Sequence, residues 1–352
     1  MKRVAICTGK ATSLMQVASD ILKVFERSGY IAHIINSVQP IVSRRASVDG
    51  LIIFYPADPI MCLGYASWYL MLKKRLGDKL LFYTTIEGKV EPHIVNWAVW
   101  KNVDLIANSK YTYRKLAEAG FNVVDIIYHG VDFEEVKEAK KLSEVLRKKI
   151  ENDFPNRVYF SIVSSGHRRK GWDSLIPAIQ MINKKYKDKV AFFVITTPDM
   201  FSKLNIENVY IVSEMGKRPH IDVLALLGAV DFHIQASYSE GFGLPLLEAM
   251  AMGTPSLHPW YEPLSEFSSK EGNIYWYHDY IEIMERDKQK GTGINFELHY
   301  YEPSKLAEAI EYAIDIKLNK KEEYENMSKK VEEKAREYDI MKVYKRFVDM
   351  LS

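Results

Sequence analysis

The stretch DFHIQASYSEGFGLPLLEAMAMGTP, residues 231–255, decides how the chain is built. DFHIQA reads as a short buried strand and SYSEGFG as a loop. Pro245 suits a first helical turn, where its missing N–H costs nothing. Gly253 fits the end of that helix, with Pro255 just beyond. Strand, glycine-bearing loop and helix, in that order, form the unit of a parallel α/β sheet, and ligands of such sheets bind beyond the carboxyl ends of the strands. Gly241 and Gly243 place bare backbone where the free amides of the helix start can face an anion, commonly a phosphate. Glu240 and Glu248 stand eight positions apart around this turn. Each carboxylate is a strong acceptor for sugar hydroxyls. On spacing alone, a loop acid and a first-turn glutamate favoured by the helix dipole account for the pair equally well.

Outward from this unit the same alternation recurs. RVAIC (3–7), IAHIIN, GLIIFY, KLLFYTT, VDLIANS and VVDIIYH are β-rich runs separated by helical stretches. A charged helical segment, 134–152, is closed by Pro155, and the pattern restarts at RVYFSIVSS (157–165). This predicts an α/β protein of two Rossmann-like domains facing across a cleft, residues 1–152 and 153–334, with a C-terminal helix from about 335 to 352 packing back on the first. A length of 352 residues exceeds what one core usually serves.

Composition narrows the class. Two cysteines, Cys7 and Cys62, give no disulfide framework and read as small buried hydrophobes in a reducing compartment. The apolar run in MKRVAICTGK is too short for a signal peptide, and Leu51–Leu72 is broken by Pro56, Asp58 and Pro59. A cytoplasmic protein is expected. Residues 1–150 hold 22 lysines and arginines against 15 acids, while the remainder holds 26 against 31. Arg44-Arg45 and Lys73-Lys74-Arg75 contribute to that basic half, which is either a solvated surface or the side that meets an anionic partner. No nucleic acid is expected as a partner.

GKAT (9–12) lacks the earlier glycine and the hydroxyl residue of a P-loop, and Gly9 stands alone where a nicotinamide fingerprint needs three glycines. GTG (291–293) reads as a loop. Ser109 reads as the N-cap of a helix over 111–119, and nothing near it suggests a serine triad. No cluster of His, Asp or Cys suggests a metal.

SEGFGLPLLEAMAMGTP (239–255) resembles the E-x7-E signature of the family 4 glycosyltransferases, retaining enzymes of the GT-B fold. DLIANSKYTYRKLAEAGFNVVDIIYHGVD (104–132) resembles the end of that family's acceptor domain, and RRKGWDSLIPAI (168–179) the lysine-glycine stretch opening its donor domain. With LAEAIEYAI (306–314) and the C-terminal helix, the likeness spans most of the chain. It speaks against an epimerase or a phosphorylase of similar architecture.

The resemblance implies transfer of a hexose from a nucleotide-diphosphate sugar, of UDP-glucose or GDP-mannose type, to a hydroxyl of a glycan, glycolipid or other acceptor. It implies no metal and no cofactor beyond the nucleotide sugar. By resemblance Glu240 contacts the donor sugar and Glu248 the ribose, while the amides of Gly241, Phe242, Gly243 and Leu244 meet sugar and diphosphate. Lys170 matches the lysine that neutralises the departing diphosphate, whose growing charge a fixed cation stabilises. Relatives carry an arginine six residues earlier, where this chain has Ser164, so Arg168 or Arg169 is expected to supply that charge. Gly9 matches a glycine turn near the diphosphate. Glu87 in YTTIEGK (83–89) stands where relatives place a histidine or acid beside the reacting centre; it is either an acceptor-orienting group or a structural turn residue. The basic first half suits an anionic or lipid-linked acceptor at a membrane surface. A catalytically silent nucleotide-sugar binder or partner subunit of the same fold is the alternative.

Overall fold

The computed structural model describes residues 2–285 and 291–352. The strands of the first half are β1 (Arg3–Thr8), β2 (Ile31–Ile35), β3 (Gly50–Phe54), β4 (Leu80–Thr84), β5 (Gly88–Val90), β6 (Leu105–Ala107) and β7 (Val123–Ile126). Those of the second are β8 (Val158–Val163), β9 (Val190–Thr196), β10 (Val209–Glu214), β11 (Phe232–Ile234), β12 (Ser256–Pro259) and β13 (Ile274–Trp276). A hairpin, β14 (Tyr280–Met284) and β15 (Ile294–Tyr300), follows.

Two six-stranded parallel sheets form, ordered β2-β1-β3-β4-β6-β7 and β10-β9-β8-β11-β12-β13. Alternation along each strand fills both faces. Val4, Ile6, Ile52 and Phe54 face one layer, while Ala5, Cys7, Leu51 and Ile53 face the other. Burial on both sides is why these strands read as continuous apolar runs. In the helix Thr12–Arg27, buried Val17, Ile21, Val24 and Phe25 recur at helical spacing and cover one layer of the first sheet. Cys7 and Cys62 are free and buried, and burial pushes both thiols up to about 12. No helix among the described residues is long and apolar enough to cross a membrane.

The chain's end returns to the first sheet. Ile340, Tyr344, Phe347 and Leu351 sit in the same core as Val4 and Phe25. Burying Phe347 and Leu351 contributes on the order of 2 kcal/mol each. The helix Phe133–Asp153, by contrast, departs from a division at residue 152. Val136 and Ala139 pack with Leu224 and Leu227, and Ile150 packs with Leu226 and Ala229, all in the helix His220–Ala229 of the second half.

Each sheet reverses its winding once, between β1 and β3 in the first and between β8 and β11 in the second. The loops after β8 and β11 therefore diverge around a crevice, where open α/β sheets bind ligands. A third sheet, β14-β15-β5, is antiparallel and joins the halves, with Val90 opposite Ile294, Lys89 opposite Asn295 and Gly88 opposite Phe296. Asp58 accepts from the Gly293 amide at 3.0 Å, and Glu266 caps the helix Lys110–Ala119 through the Lys110 and Tyr111 amides at 2.9 and 2.7 Å. The two domains are thus hydrogen-bonded to one another at both places.

Candidate active site

The loop after β8 makes a 3₁₀ turn over Arg168–Lys170 and leaves it at Gly171, whose φ is +76°. A Cβ at Gly171 would lie 1.9 Å from the carbonyl oxygen of Ala236, so only glycine lets this turn press against the loop after β11. The contact is sealed by the Tyr238 amide, which donates to the Arg169 carbonyl at 2.8 Å.

Here the two sequence-predicted groups meet. Lys170 Nζ lies 2.6 Å from Glu240 Oε1, and Glu240 is 6% exposed. Gln235 donates to the same oxygen at 2.7 Å, and Arg169 lies 3.4 Å from Glu240 Oε2. Burial pushes the Glu240 carboxyl up, but Lys170 and Arg169 outweigh it and hold the carboxyl below its usual range. Burial and the adjacent Arg169 guanidinium depress the Lys170 ammonium, against the pull of Glu240.

Arg169 also crosses the cleft. Its Nη2 is 2.7 Å from Glu87 Oε1, and the Ser239 hydroxyl donates to the Glu87 carbonyl at 2.6 Å. Glu87 directly precedes β5, so the interdomain strand pairing sets its position. Arg168, expected as a donor-site cation, points away: it is half exposed and pairs with Glu282 at 2.9 Å. The partners divide the turn: Arg169 and Lys170 both reach Glu240, while Arg168 is drawn to Glu282 of the hairpin. Ser164, at the position of the family arginine, buries its Oγ without a hydrogen-bond partner among the described residues.

The glycines are close to protein as well. A Cβ at Gly241 would sit 2.4 Å from Thr85 Oγ1 in the first domain, and the Gly241 carbonyl accepts from Asn108 at 3.1 Å. Gly243, at φ +104°, precedes the helix Leu244–Ala251. The Phe242 side chain is an anchor, stacked on Phe267 at 4.6 Å and edge-on to His129 at 4.9 Å, so only its backbone is placed to face a ligand. Leu244 likewise packs into the core. Gly9 follows β1 against Leu14 and Tyr55.

Glu248 does not share a partner with Glu240. Its Oε1 is 3.0 Å from His220 Nε2, and His220 Nδ1 is 3.1 Å from Glu135 Oε1. Asp20, Asp132 and Glu135 lie close enough to share a cation. The Lys23 ammonium fills that position, at 3.1, 3.2 and 2.7 Å respectively. Sequence reading missed Gln235, Asn108 and His220 as site neighbours. Gln235 carried a signal, since it ends a strand one loop before Glu240; His220 opens a helix in an unremarkable context and carried none.

Fold and site together define an enzyme-like architecture of two parallel-sheet domains, with a buried lysine–glutamate pair at the switch point of the second sheet. Residues 143–280 match the family described as Glycosyl transferases group 1. A glycosyltransferase named 335, from Sulfolobus islandicus rod-shaped virus 1 and itself uncharacterised, is 33% identical over 350 residues, 99% of this chain and 100% of that one. The solved structure of HepE from Anabaena with UDP-glucose covers 100% of this chain and 99% of its own, with a TM-score of 0.67 at 14% identity. A glycosyltransferase of Rickettsia africae covers 99% and 97%, with a TM-score of 0.70 at 14% identity. The chain belongs to the group 1 glycosyltransferases, and its fold is GT-B.

Proposed function

We propose that this glycosyltransferase transfers a hexose from a nucleotide-diphosphate sugar to an acceptor hydroxyl with retention, without a metal, in the manner of family 4. The buried Lys170–Glu240 contact at 2.6 Å carries the reading. Arg169 and Lys170 are two buried cations matched in this structure by two acids, Glu87 and Glu240. A donor diphosphate would take over Lys170 and Arg169, releasing Glu240 to the sugar hydroxyls, with Glu248 on the ribose. The bond from the anomeric carbon to the diphosphate oxygen breaks, and the acceptor oxygen bonds to that carbon from the same face. The acceptor's proton passes to the departing phosphate oxygen. Two-carboxylate glycosidase logic therefore does not apply to Glu240 and Glu248. Glu87 is proposed to orient the acceptor, a reading supported by its 2.7 Å contact with Arg169 beside Glu240. HepE's complex with UDP-glucose makes uridine nucleotides the first to try.

A thermal-shift screen of UDP, GDP and their sugars identifies the donor, because a ligand bound only by the folded state raises Tm by mass action. With that donor, Glu240→Gln, Lys170→Ala and Arg169→Ala each lower kcat about 10²- to 10³-fold, while Arg168→Ala stays within about twofold. Near wild-type turnover in Glu240→Gln or Lys170→Ala refutes the assignment.

The acceptor is proposed to be anionic or lipid-linked. Met61 and Met71 are 62% and 60% exposed just before and within the helix Leu63–Leu76, whose last turn carries Lys73, Lys74 and Arg75, and apolar and basic groups so close together suit an anionic lipid surface.

A further inference from the structure

We infer that His220 is a positioning residue for nucleotide binding: it holds one oxygen of Glu248 and presents the other to the ribose diol. The inference rests on the reading of Glu248 as the ribose acceptor, and it deepens that reading with a residue no sequence pattern marks.

The geometry fixes the state of the ring. Each imidazole nitrogen faces a carboxylate oxygen, Nε2 to Glu248 Oε1 at 3.0 Å and Nδ1 to Glu135 Oε1 at 3.1 Å. Ionised carboxylates only accept, so both nitrogens carry protons and the ring is an imidazolium. His220 is the first residue of the helix His220–Ala229, where the helix dipole disfavours a cation. Burial disfavours it too, yet Glu248 and Glu135 prevail and raise the group to about 10. The cation is there for the two acids.

The far side is anchored in turn. Lys23 of the helix Thr12–Arg27 reaches Glu135 at 2.7 Å, so a chain Lys23–Glu135–His220–Glu248 runs from the first domain to the helix of the signature. Glu248 is itself buried, and its Oε2 takes no hydrogen bond from the described residues. One oxygen is thus fixed by a charge-assisted bond while the other keeps its lone pairs. A ribose diol offers two O–H donors to such a carboxylate. A pinned acceptor loses less rotamer freedom on binding than a free glutamate.

The test compares UDP with 2′,3′-dideoxy-UDP by calorimetry, or the guanosine pair if the donor screen returns GDP. Wild-type protein prefers the ribose form by roughly tenfold or more, and Glu248→Ala abolishes that preference. His220→Ala reduces the preference by about fivefold to tenfold while leaving affinity for the dideoxy form unchanged. His220→Gln, whose amide still donates to Glu248, retains most of it. Glu135→Gln shifts it in the direction of His220→Ala by a smaller factor. Equal weakening of both nucleotides in His220→Ala, or an intact preference, overturns the inference but leaves Glu248 on the ribose. A preference that survives Glu248→Ala overturns the ribose reading itself. If His220→Ala does not fold, an unchanged preference in Glu135→Gln overturns the positioning role.

Discussion

Two glycines of the second domain make a controlled experiment. Gly171 and Gly253 have nearly the same left-handed φ, +76° and +81°, but different surroundings. An added Cβ at Gly253 meets nothing nearer than Ser328 Oγ at 3.3 Å, whereas at Gly171 it meets the Ala236 carbonyl at 1.9 Å. Alanine at either position takes on the left-handed backbone cost, about 1–2 kcal/mol. At Gly171 the clash is additional. Cβ atoms keep about 3.0 Å from such neighbours, so the turn must move by roughly 1.1 Å away from the loop that carries Glu240. Overpacking of that kind costs about 1–3 kcal/mol more. A displacement of about 1 Å in a catalytic group can lower turnover by about 10², and the residue displaced is Lys170, immediately before Gly171. Melting curves followed by circular dichroism, with turnover at saturating donor, measure both effects. Gly253→Ala loses about 1–2 kcal/mol and keeps its kcat; Gly171→Ala loses about 2–5 kcal/mol and about a hundredfold in kcat. Equal turnover in the two folded variants would falsify the claim that close packing of these loops sets the site.

Two further outcomes follow from the charges. His220 is raised to about 10, so the folded state holds its proton while the unfolded chain releases it near 6.5. Its stabilising contribution is complete below about 6.5 and is lost as pH rises toward 10. The buried histidines His129, His233 and His258 and the half-buried His299, all lowered below 5, are neutral when folded above pH 7, and in the unfolded chain they become largely neutral only above about pH 7.5. Between about pH 7.5 and 8, above the unfolded histidines' transition and below that of the cysteines, wild-type Tm should fall with rising pH and His220→Gln should flatten the slope; parallel slopes count against the doubly paired imidazolium. For the lipid surface, co-sedimentation with vesicles containing anionic lipid should exceed that with neutral vesicles. Replacing Lys73, Lys74 and Arg75 with glutamine should remove the difference, and binding indifferent to lipid charge sinks the proposal.

Much of the site was legible because local chemistry marks it. A strand followed by SYSEGFG and a proline-opened helix can hardly be anything but a sheet-edge loop, and RRKG after another strand end places Lys170 beside it. What stayed illegible depends on direction. Arg168 and Arg169 are indistinguishable as letters, yet one pairs with Glu282 outside and the other spans Glu87 and Glu240 inside. Gly241 and Gly243 were read as room for a phosphate, whereas Gly241 is required first by Thr85 of the opposite domain. The helix Phe133–Asp153 follows the last strand of the first sheet, and only packing assigned its apolar face to the second domain.

The sequence by itself determined the two parallel sheets, the loops that carry Lys170 and Glu240, the helix that carries Glu248, and the kinship to glycosyltransferases. The sheets, loops and helix follow from periodicity and turn residues, which act over neighbouring positions and leave a mark in the order of letters; the kinship follows from the resemblance of the motifs they carry. The tertiary structure alone decided the strand pairing of β5 with β15, the placement of Glu87 against Arg169, and the seat of His220 between two acids. Those contacts join residues 204 to 208 and 82 to 85 positions apart, respectively, for the strand pair and for Glu87 with Arg169 and Glu135 with His220. No local pattern records them, because they join segments far apart in the chain, across the two domains for β5 and Glu87 and through helix packing within the second for His220 and Glu135.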